Sequence, residues 1–189
     1  MRNLGLIEEL KKHIKVDNEI ERFLRDECKT KTFKKGEILS QQNHFNHTVF
    51  FVNEGLIRMF YFENGKDITA DFYDKGRTTA NIDTLFENKP TRYNIEALEN
   101  SVITTYNYEK LQELCMNSIA AANFSRYLLS KLTLQMSKRI SSLQYMTAKE
   151  KYIQLLEENR NIIQRVPLGM IASFLGISQE TLSRIRSNI

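Results

Sequence analysis

Apolar positions change their period twice along the chain. Up to residue 30, Leu6, Ile7, Leu10, Ile14, Ile20, Phe23 and Leu24 recur at helical steps among charged residues, which predicts two short amphipathic helices. From 31 to 109 short runs rich in β-branched and aromatic residues take over: Ile38–Leu39, Thr48–Val52, Leu56–Phe62, Ile68–Phe72, Tyr93–Ala97 and Val102–Tyr106. Turn residues separate them at Lys35-Gly36-Glu37, Asn53-Glu54-Gly55, Glu63-Asn64-Gly65-Lys66 and Glu99-Asn100-Ser101. Asn-Gly between two such runs is a strong hairpin signal, because both central residues of a type I′ turn need positive φ. Several short strands at this spacing predict a sandwich or barrel. Beyond 109 the alternation disappears. Leu129, Leu132, Met136, Ile140 and Leu143 step by three or four along an uninterrupted segment, an apolar stripe suited to pairing two helices. A second helix is expected around Ala148–Asn159, carrying Tyr152, Ile153, Leu155 and Leu156, and Pro167 opens a compact final segment.

That final segment carries the sharpest chemistry. Pro167 suits a helix's first turn; Ile171, Ala172, Phe174 and Leu175 give the helix an apolar side, with Ala172 small where two helices approach. Gly176 permits the left-handed residue that ends a helix, Ile177 plugs the turn, and Ser178 is a good N-cap for the next helix. Leu182 and Ile185 face inward, leaving Gln179, Glu180, Thr181, Ser183, Arg184 and Arg186 outward. This is the pattern of a helix-turn-helix, whose second helix enters the major groove. Gln179 can pair with adenine, Glu180 can accept from cytosine and Arg184 can grip guanine, so these are the candidate base readers. Ser178, Thr181 and Arg186 are the candidate phosphate contacts. From 160 onward Arg160, Arg165, Arg184 and Arg186 face one acid, Glu180. A single acid within a basic face fits a base reader better than a solubilising charge.

Composition narrows the remaining classes. The 189 residues are 41% hydrophobic and 26% charged, ordinary globular usage, with a net charge of +4 that permits a polyanionic partner. Cys28 and Cys115 lie far apart in no metal-like spacing, which argues against a zinc site or an iron–sulfur cluster and fits free thiols in a reducing cytoplasm. A redox switch at Cys115 is weighed against a small buried thiol. His44 and His47 share a polar loop, read as solvated rather than metal-binding, so no metal and no cofactor are expected. The start of the chain lacks a signal-peptide core, and no run approaches the roughly 20 apolar residues of a membrane span. The expected location is therefore cytoplasmic, away from membranes. No phosphate loop, nucleophile elbow or metal-ligand spacing is present, so an enzyme is not expected.

The order of a β-rich half, a long helix and a helix-turn-helix resembles the CRP/FNR family of bacterial regulators. Phe33–Leu39 and Val49–Phe60 look like the opening of that family's cyclic-nucleotide-binding-type β-roll, and Gln179-Glu180-Thr181-Leu182-Ser183-Arg184 resembles its recognition-helix signature. The resemblance implies an α+β chain. A jelly-roll-like double-stranded β-helix forms a sensor domain over 1–115, a dimerisation helix covers 116–146, and a winged-helix-like helix-turn-helix domain covers 147–189. The implied partners are double-stranded DNA, a second copy of the chain through Leu129, Leu132, Met136, Ile140 and Leu143, RNA polymerase and an unidentified small-molecule effector. The alternative is a ligand-binding module that acts on a protein instead of DNA. Cyclic-AMP-binding members carry a Gly-Glu pair and, about ten residues on, an arginine for the cyclic phosphate. Aligned on Ile95-Glu96-Ala97, this chain has Ala80-Asn81 and Thr91 there, with Arg92 one position late. A one-residue slip in a strand points a side chain to the opposite face. Asn81, Thr91 and Arg92 are thus the pocket candidates, in a pocket not suited to cyclic AMP.

Overall fold

The structure, a computed structural model, describes residues 4–188. Eight strands form two four-stranded sheets, in the orders β1-β8-β3-β6 and β2-β7-β4-β5. The strands are β1 Lys29–Phe33, β2 Ile38–Ser40, β3 Thr48–Glu54, β4 Leu56–Glu63, β5 Lys66–Asp74, β6 Thr78–Ala80, β7 Asn94–Ala97 and β8 Ser101–Asn107. Helices α1 Leu4–Lys11 and α2 Asn18–Asp26 precede the sheets, and α3 Ile82–Glu87 interrupts them. After them come α4 Tyr108–Asn117, α5 Ile119–Tyr145, α6 Ala148–Arg165, α7 Leu168–Leu175 and α8 Gln179–Ser187. This is the expected β-roll, long helix and helical C-terminal module. Among the described residues no strand follows α8.

Compactness groups the chain into two units, one of residues 1–59 with 73–130 and one of 60–72 with 131–189. In the first, Phe51, Val52, Leu56, Ile57, Ile95 and Ile103 are wholly buried. The helices add a second layer, in which Ile20, Phe23 and Leu24 of α2 pack with Tyr106, Leu114 and Phe124. Asp17 fixes the start of α2 by accepting from the Ile20 amide at 2.9 Å, and its other oxygen accepts from the Ser118 hydroxyl at 2.7 Å ahead of α5. Burial of a charge inside β4 is compensated: Arg58 donates to Glu96 of β7. In the second unit, Tyr152, Leu155 and Ile162 of α6 are buried together with Ile171, Ala172, Leu175 and Leu182.

The two strands that the pattern did not signal, β1 and β6, are the two edges of one sheet. Each pairs on one side only, so neither needs an apolar run; β1 reads Lys-Thr-Lys-Thr-Phe, and edge lysines discourage pairing with another chain. The helix expected at 148–159 continues to Arg165, but Asn159 is non-helical (φ −148°, ψ 54°), so the expected end coincides with a kink. The Asn64-Gly65 turn has positive φ at both residues, as a type I′ hairpin requires.

Gly55 joins β3 in one sheet to β4 in the other at φ +97°. A Cβ there would lie 2.6 Å from the Ser101 Cβ and 2.7 Å from its Cα. Replacement by alanine is expected to cost roughly 3 kcal/mol or more, lowering Tm by roughly 6–12 °C. Gly36 has comparable φ but nothing within 4 Å of its missing Cβ, so Gly36→Ala should cost only about 1–2 kcal/mol. Thermal unfolding of the two variants checks the order.

Candidate functional site

The α7–α8 pair is built as the residue pattern requires. Pro167 stands one position earlier than expected, at the cap instead of in the first turn, and its carbonyl accepts from the Met170 and Ile171 amides. At the other end Gly176 is left-handed (φ 67°, ψ 36°). Its amide donates to the Ser173 carbonyl at 3.1 Å and the Ile177 amide to the Ala172 carbonyl at 3.0 Å, the paired bonds of a Schellman turn. Ser178 then caps α8, its Oγ accepting from the Thr181 amide at 3.1 Å. Leu182 is the buried anchor, and Gln179, Glu180, Ser183, Arg184 and Arg186 are exposed. Thr181, expected outward, is half-buried, and its hydroxyl lies 3.1 Å from the Ser178 hydroxyl. The Gln179 carboxamide lies beside Gly169 of α7, where a Cβ would come within 3.0 Å of it.

The face is electrostatically prepared for polar recognition. The backbone amide of Glu180 and the Ser178 hydroxyl hold the Glu180 carboxyl below its ordinary value, and Arg184 adds to the effect. The carboxylate therefore stays ionised, an acceptor only. Arg184 and Arg186 are two residues apart on α8 and so point roughly 160° apart. They stand at opposite edges of the exposed face.

The pocket candidates separate. Asn81 and Thr91 are both 0% exposed and meet: the Thr91 hydroxyl donates to Asn81 Oδ1 at 3.0 Å, while Asn81 Nδ2 donates to the Ser40 hydroxyl at 2.7 Å. The Tyr93 amide donates to Thr91 Oγ1 at 3.1 Å. Backbone bonds between Thr91 and residues 43 and 44 close the same corner. Asn81 precedes α3 in the N-cap position yet makes no side-chain cap bond, because its carboxamide is committed to this chain of polar groups. Arg92 goes elsewhere. Its side chain is 68% exposed and pairs with Asp83 at 3.0 Å. On this surface an open groove of about 470 Å³ is lined by Leu85, Tyr108, Glu109, Glu113 and Met116, among others. Its two carboxylates disfavour an anion.

Two features escaped the sequence reading. Ser40 completes the Asn81–Thr91 pair from 41 residues away, and nothing local marks it. Arg58 was visible in principle, as a lone charge within Leu56-Ile57-Arg58-Met59-Phe60. Burial pushes the Cys28 thiol up to about 12 and raises that of Cys115, which disfavours the thiolate in both. On α5, Leu129, Met136, Ile140 and Leu143 are between 44% and 53% exposed, and Leu132 is half-buried. No helix is long and apolar enough to cross a membrane among the described residues.

Comparison with known proteins agrees with this architecture. Residues 30–118 match the cyclic nucleotide-binding domain family. No curated protein sequence matches the chain. FixK2 from Bradyrhizobium japonicum superposes with a TM-score of 0.72 at 19% identity, over 85% of this chain and 83% of that one. A putative CRP/FNR-family regulator from Eubacterium rectale gives 0.71 at 18% identity, over 92% and 83%. A CooA variant from Carboxydothermus hydrogenoformans gives 0.69 at 18%, over 93% and 85%. Residues 30–118 are thus similar to a cyclic nucleotide-binding domain, and the chain shares its fold with these solved structures, one of them a putative CRP/FNR-family regulator.

Proposed function

We propose that this protein is a sequence-specific DNA-binding transcription regulator that acts as a parallel homodimer on a pseudo-palindromic operator. The carrying observation is the α7–α8 pair. Its apolar faces interlock through Ile171, Ala172, Leu175 and Leu182, while Gln179, Glu180 and Arg184 stay exposed at the start of α8. In this reading 1–115 is the sensor domain, 116–146 the dimerisation segment and 147–189 the DNA-binding domain. Regulation of transcription places the protein in the cytoplasm, where the DNA-bound dimer acts on RNA polymerase and catalyses no reaction of its own.

Two recognition helices of such a dimer enter successive major grooves, with half-sites roughly 34–36 Å apart. Arg184 reads guanine, Glu180 a cytosine amino group and Gln179 an adenine; Ser178, Thr181 and Arg186 hold phosphates. Replacing Arg184 by alanine should cost roughly 1–3 kcal/mol on the selected site and flatten the preference at one base pair. Arg186→Ala should weaken all sequences alike and reduce the salt slope by about one. Binding-site selection with both variants measures this; an unchanged motif for Arg184→Ala together with an altered one for Arg186→Ala reverses the assignment.

Exposed Leu129, Met136, Ile140 and Leu143 support the dimer, since water-facing apolar stripes call for a partner. Leu132 joins them at the seam. The double substitution Met136→Glu, Ile140→Glu should convert dimers to monomers in sedimentation at micromolar concentration. A wild-type chain that is already monomeric there removes the proposal.

The effector, where one acts, is not cyclic AMP. The buried polar groups Ser40, Asn81 and Thr91 satisfy one another, and Arg92 is paired outside with Asp83, so no cation answers the cyclic phosphate. Calorimetry should register no cyclic AMP binding at micromolar concentration, and a dissociation constant in that range contradicts this part of the reading.

A further inference from the structure

We infer that Arg139, well outside the recognition helix, is a positioning residue that sets the pose of α8 by holding the last turn of α7. A helix end leaves its last carbonyls without partners inside the helix. The left-handed turn at Gly176 satisfies two of them, on Ala172 and Ser173, through the amides of Ile177 and Gly176. The next carbonyl, on Phe174, accepts from Arg139 Nη2, which reaches it from α5. A cation at this end of α7 also complements the negative end of the helix dipole. The same guanidinium lies over the Phe174 ring, 4.2 Å from its centroid, so one side chain grips both the backbone and the ring of one residue.

The grip is anchored on a third element. The outer part of the β4–β5 hairpin belongs to the same compact unit as α7. Phe72 of β5 packs on Phe174 with ring centroids 5.3 Å apart. Desolvation pulls the Arg139 guanidinium below its ordinary value, and the charge of Asp71 beside it partly offsets this. Gln135, one turn before Arg139 on α5, donates to the Asp71 carboxylate. Two hydrogen bonds continue the seam: the Thr69 amide donates to Ser173 Oγ at 3.0 Å, and that hydroxyl donates to the Asp67 carbonyl at 3.3 Å. Strand β5, α5 and the end of α7 therefore converge at Arg139, which holds the backbone four residues before the N-cap of α8. A shift of the Phe174 carbonyl moves Gly176–Ser178 and with them the direction in which α8 starts.

This inference rests on the DNA-binding reading, and its test separates the two. Hydrogen exchange of the full chain reads the turn without DNA, and affinities for the selected operator and for random duplex read the consequence. Arg139→Gln is expected to accelerate exchange of the Gly176 and Ile177 amides and to lower operator affinity, each by about tenfold. Random-duplex affinity should change by less than about threefold, because phosphate contacts tolerate a tilted helix. Arg139→Lys, which keeps the charge at the carbonyl, should recover most of the operator affinity. Phe174→Leu keeps the carbonyl bond but removes the ring, and should give an intermediate loss, so the proposal stays open to test if Arg139→Gln unfolds. Unchanged exchange at Gly176 and Ile177, or equal losses on operator and random duplex, overturns the positioning role. Wild-type protein that binds neither duplex overturns the DNA-binding reading, and the exchange measurement alone then decides whether Arg139 holds the turn.

Discussion

Between β3 and β4 the chain passes from one sheet to the other through a single residue. At Gly55 the backbone takes φ +97° beside Ser101, close enough to exclude any side chain, and Ser101 Oγ in turn accepts from the Leu56 amide at 3.2 Å. The start of β4 in the second sheet is placed by that crossing. Leu56 and Ile57 enter the core immediately after it, Arg58 meets Glu96 on β7, and the strand runs on into the hairpin that carries Asp71 and Phe72. A sheet-switching glycine is a rigid constraint because it is steric: two backbones approach within a distance that only a hydrogen can fill.

A second constraint recurs in different chemistry. Polar groups taken out of water must meet one another, and among the described residues no buried side-chain nitrogen or oxygen lacks a partner. The Ser40–Asn81–Thr91 chain does this with neutral groups, Arg58–Glu96 with charges, and Arg139 with a carbonyl, a ring and a nearby carboxylate. In each case the partners come from elements far apart in sequence.

That distance explains what could and could not be read from the residues alone. The hairpin at Asn64-Gly65, the Gly55 turn, the helix-turn-helix and the apolar stripe of α5 are local patterns, and each follows from spacing or from a residue with special backbone freedom. Edge strands β1 and β6 are not local patterns, because a strand paired on one side can be polar on most of its surface. Asn159 shows the opposite situation: the helical pattern was seen to stop there, but the backbone breaks for one residue and then resumes. In the candidate site, the exposed face of α8 was legible because Leu182 and Gly176 fix its phase. The inward turn of Thr181 was not, since it depends on the Ser178 hydroxyl. The divergence of Thr91 from Arg92 was expected from strand alternation, but both residues precede β7 and part in the loop before it, whereas Ser40, the group that completes the pair, could be found only in three dimensions.

The buried Ser40–Asn81–Thr91 chain also shapes which sequences are reachable from this one. Each member satisfies its neighbour, so any single replacement strands a polar group in a position closed to water, at a cost of about 1–3 kcal/mol. Arginine at 91 would bring a guanidinium into a site with no exposure while leaving Asn81 Oδ1 without its donor; a carboxylate at 81 would lose the amide that Ser40 accepts from. Residues that share a hydrogen-bond chain in this way are coupled positions, whose substitutions are not expected to add. Substitution at the exposed Arg92 is cheap, whereas substitution at the buried 81 and 91 is costly. The polar chain acts as a lock: the corner is held shut by groups that satisfy one another, so it opens to a new side chain only if several of them change at once.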